Sequence, residues 1–137
     1  RSDELPGRAA IGYLAVDAPR TNVFHLPVRG SGDGGIYSTV SDMDRFWMAL
    51  FAGGIVSKER VTEMVRPRST ESDGSKRYGL GFWLHSATET VWLTGYDAGV
   101  SFCSTHDPTT TTTHTVISNT SEGAWPIVQL LDDRLST

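Results

Sequence analysis

The sequence has little of what marks disulfide-rich, membrane-spanning or nucleic-acid-binding proteins. It contains one cysteine, Cys103, in 137 residues, which excludes an intrachain disulfide and leaves the localisation undetermined. No apolar run approaches the roughly 18 to 20 residues that a membrane-spanning helix needs. The 12 Lys and Arg residues are outnumbered by 16 Asp and Glu residues, which gives a net charge of -4. Because no basic surface can neutralise phosphates, we expect no nucleic-acid partner.

Metal-binding and phosphate-binding patterns are also lacking. Three of the four histidines, His85, His106 and His114, lie near the ends of predicted strands, but no two are spaced i, i+2 or i, i+4 as metal ligands often are. We interpret them as solvent-exposed turn residues, and Cys103 as a small buried apolar residue rather than a nucleophile. The segment GSGDGG lacks the Lys-Ser/Thr of a phosphate-binding loop. The sequence therefore predicts no metal and no cofactor.

The clearest pattern in the chain is a helix that begins after Thr39. In the segment TVSDMDRFWMALFAGG the apolar residues recur at i, i+3, i+4, i+7 and i+8, which places them on one helical face. Thr39 can cap the first turn, and the final Gly-Gly pair can supply a left-handed end. A second, shorter helix is predicted from its cap at Ser57 to just before Pro67.

Four β-rich runs follow, at residues 78–85, 88–95, 99–106 and 113–120. The short stretches between them favour antiparallel neighbours over parallel strands joined by a crossover helix. The chain then shows an apolar stripe typical of a helix, with Ser121 as its cap and Pro126 in its first turn. The predicted fold is α+β, an antiparallel sheet of about four strands with packed helices.

The strand-like run that ends in Leu-Thr-Gly contains the strongest candidate for chemistry. Gly95 has no side chain, so a substrate can lie along the strand beside the hydroxyl of Thr94. The next backbone N–H, that of Tyr96, can point at a developing oxyanion. A Thr-Gly pair also occurs in ordinary strands that end in a turn, so the pattern alone leaves a purely structural role open.

Five longer segments cover nearly the whole chain: GDGGIYSTVSDMDRFWMALFAGG, IVSKERVTEMVRP, YGLGFWL, LTGYDAGVSF and HTVISNTSEGAWPIVQLL. In their order and spacing they resemble the serine β-lactamase-like hydrolases. That family includes class C β-lactamases, penicillin-binding proteins, D-aminopeptidases and related esterases. The resemblance implies that the chain is the C-terminal part of a β-lactamase/transpeptidase-like fold.

The resemblance also implies a role for each residue of the Leu-Thr-Gly segment. The family's third active-site motif is Lys or His, then Thr or Ser, then Gly, and it falls on Leu93, Thr94 and Gly95. Thr94 and Gly95 match the motif as substrate-binding residues. Leu93, at the remaining substrate-binding position, has a hydrocarbon where the family has a cationic or imidazole group. The N–H after the motif is half of the family's oxyanion hole, which assigns the catalytic backbone donor to Tyr96.

Two other motifs of the family are not found in the sequence. The family's nucleophile lies in Ser-x-x-Lys at the start of a helix, whereas Ser72 here has its lysine, Lys76, four positions on. Neither Tyr-x-Asn nor Ser-x-Asn occurs. Both motifs normally lie upstream, and the first residue is Arg1 rather than Met. We therefore expect residues 1–137 to be a single partial domain, the C-terminal half of the fold without the half that holds the nucleophile.

The expected function follows from this division of the fold into a half that holds the nucleophile and the half present here. The parent protein is expected to be a serine hydrolase that acts on an amide or ester through an acyl-enzyme, while the isolated fragment is inert. The chain would bind a small-molecule substrate only together with the N-terminal half. The alternative, which Leu93 favours, is a non-catalytic binding or interaction module derived from the same fold. Sheet edges and apolar faces exposed by the split predict self-association of the fragment.

Overall fold

The computed structural model describes residues 4–135 except 6, 16, 18, 19, 73 and 75. Its elements, in chain order, are α1 (Val40–Phe51), α2 (Lys58–Met64), β1 (Ser69–Thr70), β2 (Lys76–Tyr78), β3 (Trp83–His85), β4 (Val91–Asp97), β5 (Val100–Asp107), β6 (Thr112–Ser118) and α3 (Trp125–Leu135). The strands form one sheet in the order β1-β2-β3-β4-β5-β6. The predicted α+β class with an antiparallel sheet is confirmed. None of the helices in this part of the chain is long and apolar enough to cross a membrane.

The sheet has six strands rather than about four because the run 78–85 is not one strand. β2 ends at Tyr78 and β3 begins at Trp83, and between them Gly81 has a φ of +89°. A residue other than glycine rarely adopts this left-handed conformation, so the chain turns a corner here. Two residues of the polar stretch before β2 form the edge strand β1, in which Ser69 lies opposite Tyr78.

The first two helices begin where the sequence predicts, and α2 ends at Met64, two residues earlier than predicted. α1 starts directly after Thr39, and of the Gly-Gly pair at its end Gly53 has the left-handed φ of +83°. α2 is capped by Ser57, whose Oγ accepts a hydrogen bond of 3.4 Å from the N–H of Arg60. Capping residues of this kind satisfy backbone N–H groups that have no partner inside the helix.

The predicted cap of the last helix is wrong. α3 begins at Trp125 and has Pro126 in its first turn, as expected, but Ser121 lies outside it. The Ser121 hydroxyl accepts from the N–H of Gly99 at 2.9 Å and donates to the carbonyl of Asp97 at 3.1 Å. Ser121 therefore holds the turn between β4 and β5, a tertiary role that a local capping pattern does not reveal.

The chain divides into two compact units. The first unit comprises Arg1–Thr39, Thr94–Cys103 and Val116–Thr137, and the second comprises Val40–Leu93 and Ser104–Thr115. That residues 1–137 make up a single partial domain of a larger fold stays a prediction.

The second unit is stabilised by an apolar core with a polar network beside it. The buried members of the core are Trp47, Leu50, Val61, Phe82, Leu84 and Val91. Each large side chain buried in this way contributes about 1.5–3 kcal/mol. The indole N–H of Trp47 donates to Ser104 Oγ at 2.8 Å, and that oxygen lies 2.7 Å from Thr115 Oγ1. The polar atom of the largest buried side chain thus has a hydrogen-bond partner within the protein.

Candidate active-site strand

The residues of the Thr-Gly motif lie on β4 where one edge of that strand is free. β3 pairs with β4 only at Trp83↔Trp92 and Leu84↔Val91. In the sheet formed by the described residues, no strand other than β3 pairs with β4 on this side. The backbone between residues 93 and 97 therefore has an edge on which an extended substrate can form hydrogen bonds.

The register of the sheet identifies which N–H groups point to this free edge. The N–H of His85 donates to the carbonyl of Thr90 at 2.9 Å, so residue 90 has its backbone polar groups directed at β3. In an antiparallel ladder this direction recurs at every second residue. The N–H groups of Thr94 and Tyr96 therefore point to the same side as Thr90, at positions beyond Trp92, the last residue of β4 that pairs with β3.

The side chains of the motif divide between the two faces of the sheet. Thr94 and Tyr96 are exposed, Tyr96 to 65%, and alternation places Gly95 on the opposite face. A Cβ added to Gly95 would lie 3.6 Å from the Phe102 ring, an ordinary van der Waals contact. The packing of the described residues therefore does not require a glycine at this position.

The turn that follows the motif is held by a buried asparagine. The Asn22 side chain is 1% exposed; its Oδ1 accepts from the N–H of Gly12 at 3.2 Å, and its Nδ2 donates to the carbonyl of Ala98 at 3.0 Å. Gly99 completes the turn with a φ of +75°, which glycine adopts without strain. Together with the Ser121 hydroxyl, these contacts fix the chain directly after Tyr96.

The Tyr96 ring is packed against a second aromatic residue. It stacks on Trp125, with ring centroids 6.4 Å apart and an angle of 26° between the planes. Trp125 is the first residue of α3, and the residue before it, Ala124, donates its N–H to Ser101 Oγ at 3.0 Å. Asn22, Ser121, Ser101 and Trp125 are the supporting residues that sequence reasoning missed, because none belongs to a local motif.

Leu93 is more buried than Thr94 and Tyr96. Its partly buried side chain packs against the apolar core of the second unit. A hydrocarbon at this position is therefore explained by packing, and a contact between Leu93 and substrate stays a prediction.

The interpretation of the histidines as exposed turn residues is wrong for His106. Its side chain is 1% exposed, stacks on Trp47 at 5.6 Å, and places Nδ1 2.9 Å from Thr113 Oγ1. Burial lowers the pKa of His106 below its ordinary value, while the charges of Asp107 and Asp44 act in the opposite direction. The interpretation is also wrong for His114, which is half-buried within β6, whereas His85 is exposed.

The described residues contain no group of three or more His, Cys, Asp or Glu side chains that could hold a metal ion. Cys103 is buried on β5. The groups that this strand offers for binding are thus backbone N–H groups, a threonine hydroxyl and an aromatic surface. Together they can bind and orient a carbonyl compound.

Comparison with known proteins identifies a family and a solved structure to which the chain is similar. The family model described as Beta-lactamase matches residues 2–133. The crystal structure of a penicillin binding protein from Bacillus halodurans matches with a TM-score of 0.87 and 30% sequence identity. The match covers 96% of this chain and 41% of that one, so the chain spans about two fifths of its relative's length. No curated protein matches the chain.

Proposed function

The chain belongs to the beta-lactamase family, and from that premise we propose that its parent, a longer protein, is a serine hydrolase acting on an amide or ester. In this reaction a serine oxygen attacks the carbonyl carbon and the amine or alcohol leaves. Water then hydrolyses the resulting acyl-serine ester. The nucleophile comes from outside residues 1–137, since no Ser-x-x-Lys occurs among them.

The observation that carries this proposal is the free edge of β4. The N–H of Tyr96 points to that edge, and the exposed Thr94 hydroxyl belongs to the same strand. A backbone N–H fixed in this way is suited to bind the oxygen that becomes negative when the carbonyl is attacked. Such a donor contributes about 3 kcal/mol to lowering the barrier. Thr94 adds a polar contact to the substrate, and Gly95 leaves the strand free of a side chain between them.

The isolated chain is expected to be inactive because an oxyanion donor cannot start the reaction without a nucleophile. The test measures hydrolysis of nitrocefin and of a p-nitrophenyl ester by the purified 137-residue chain. The expected rate equals that of a heat-denatured control. Turnover above the control would contradict the proposal that the nucleophile lies outside this chain.

The parent is expected to hydrolyse esters or peptides more readily than β-lactams. Leu93 cannot supply the positive charge that the family's Lys or His offers to a substrate carboxylate. Comparing kcat/KM of the parent for nitrocefin and for the p-nitrophenyl ester tests this. Faster turnover of nitrocefin would contradict it.

Leu93 also supports a second candidate function, a binding module that has lost its chemistry. Its packing against the apolar core accounts for the residue without any reference to a substrate. The reading frame upstream of Arg1 discriminates the two proposals. A Ser-x-x-Lys that opens a helix there supports the hydrolase, and a degraded motif supports the binding module.

A further inference from the structure

The exposed ring of Tyr96 belongs to the same residue as the proposed oxyanion donor. Its side chain is 65% exposed, although it stacks on Trp125. The backbone N–H of a strand residue lies in the plane of the sheet, whereas its side chain stands roughly perpendicular to that plane. A carbonyl compound bound at this N–H therefore lies next to the residue that carries the ring.

The ring is held in place by contacts within the first unit. Trp125 is positioned by the start of α3, where the Ala124 N–H donates to Ser101 Oγ. The same Ser101 hydroxyl donates to the carbonyl of Thr120 at 2.8 Å, and Ser101 is 1% exposed. The stacked pair thus rests on a buried, hydrogen-bonded support, and one large aromatic surface is kept on the outside of the sheet.

Aromatic rings favour offset stacking or edge-to-face contact with other aromatic rings, so this surface has a chemical preference. We propose that Tyr96, supported by Trp125, forms a subsite for an aryl group next to the scissile carbonyl, and that the preferred substrates are aryl-bearing esters or amides. This inference rests on the proposed function, because it places the carbonyl at the N–H of Tyr96. Tyr96 then contributes a backbone donor to the reaction and an aromatic side chain to substrate selection.

The test compares two neutral probes that differ by a phenyl group, phenylacetamide and acetamide. Each is titrated into the ¹⁵N-labelled 137-residue chain, and NMR follows the backbone N–H of Tyr96 and the indole N–H of Trp125. Phenylacetamide is expected to shift both signals and to bind about two- to tenfold more tightly than acetamide, as one aromatic contact allows. No shift of these signals with phenylacetamide would overturn the subsite.

Two substitutions separate the ring from the backbone donor. Tyr96→Ala keeps the N–H and removes the ring, so the preference for phenylacetamide is expected to disappear. Tyr96→Leu keeps apolar bulk without an aromatic face, and it is expected to retain only a small part of the preference. The matched control is Phe24→Ala, which removes another exposed aromatic ring of the first unit, 96% exposed, and is expected to change nothing.

Three outcomes would overturn the inference. The first is that Tyr96→Ala keeps the preference for phenylacetamide over acetamide. The second is that Phe24→Ala loses this preference to the same extent as Tyr96→Ala. The third is that dilution alone shifts the signals of both rings. The last result would show that a second copy of the chain covers the aromatic pair. Hydrolysis by the parent is measured separately: a parent that hydrolyses phenyl and methyl substrates equally disproves the subsite alone, and an inactive parent disproves the hydrolase alone.

Discussion

At the scale of single residues, the site depends on side chains that no local pattern identifies. Thr94, Gly95 and Tyr96 could be selected from the sequence because they are consecutive and resemble a motif. Asn22 lies 76 positions from the Ala98 carbonyl that it binds. A pattern over a few residues cannot predict such a contact, since the contact forms only when the chain has folded.

Replacing Asn22 by Ala is expected to reduce the free energy of unfolding by about 2–3 kcal/mol, because two hydrogen bonds are lost and their partners, one buried and one half-buried, stay unsatisfied. The measurement is urea unfolding of the wild-type chain and the variant, compared at equal m-values. The partners that lose their bonds are the N–H of Gly12 and the carbonyl of Ala98.

Asn119→Ala is the control for this prediction. Asn119 donates a single exposed bond of 3.3 Å to the carbonyl of Ile11, and its loss is expected to cost less than about 1 kcal/mol. Equal losses in the two variants would show that burial of Asn22 has no special role.

At the scale of elements, hydrophobic periodicity predicted the helices well and the strands less well. α1 has an apolar face and a terminal glycine, and α2 has a capping serine, all within short segments, so local information suffices. The run 78–85 was interpreted as one strand because its composition is β-rich, but Gly81 ends the extended conformation inside it. A glycine in a β-rich run is compatible with a strand or with a corner, and the pairing partners decide between them.

The contact between α1 and the strands beside it is expected to weaken as the pH falls through the range in which His106 titrates. Trp47 and Phe51 of α1 pack against the ring, whose charged neighbours are Asp44 and Asp107. Burial lowers the folded-state pKa, so below the ordinary value of 6.5 the unfolded chain binds a proton more readily than the folded chain. The stabilisation is therefore fully present above that pH and is lost progressively below it.

The measurement is the urea midpoint of unfolding between pH 8 and pH 5. His106→Gln removes the titrating ring and is expected to flatten this part of the profile. His25→Gln, at an exposed position, serves as the control and should follow the wild type. A wild-type profile that coincides with that of His106→Gln would contradict the prediction.

At the scale of the whole molecule, the chain exposes apolar side chains on its last helix. Ile127, Leu130 and Leu135 of α3 are 47%, 49% and 55% exposed, and no residue of α3 is buried. Exposed apolar surface of this kind favours association. Of the predicted apolar stripe of the helix, Ile127 and Leu135 are exposed, whereas Val128 and Leu131 are half-buried.

The chain is therefore expected to self-associate, which light scattering at high concentration will show as a mass above that of the 14.9 kDa monomer. The double variant Ile127→Lys, Leu130→Glu is expected to lower the associated fraction, since charges on this surface oppose its burial. Gln129→Glu, which adds one charge at an exposed polar position of the same helix, is the control. A monomeric wild-type chain at every concentration would contradict the prediction.

The sequence by itself determined the fold class, the first two helices, the family and the position of the Thr-Gly motif, because periodicity, caps and contiguous motifs are local properties. Only the tertiary structure decided that β3 pairs with β4 no further than Trp92 and leaves an edge of β4 free. It also decided that Ser121 and Asn22 fix the following turn, and that Trp125 supports the ring of Tyr96. These features depend on strand register and on contacts between segments that are distant in the sequence, and both exist only in the folded chain.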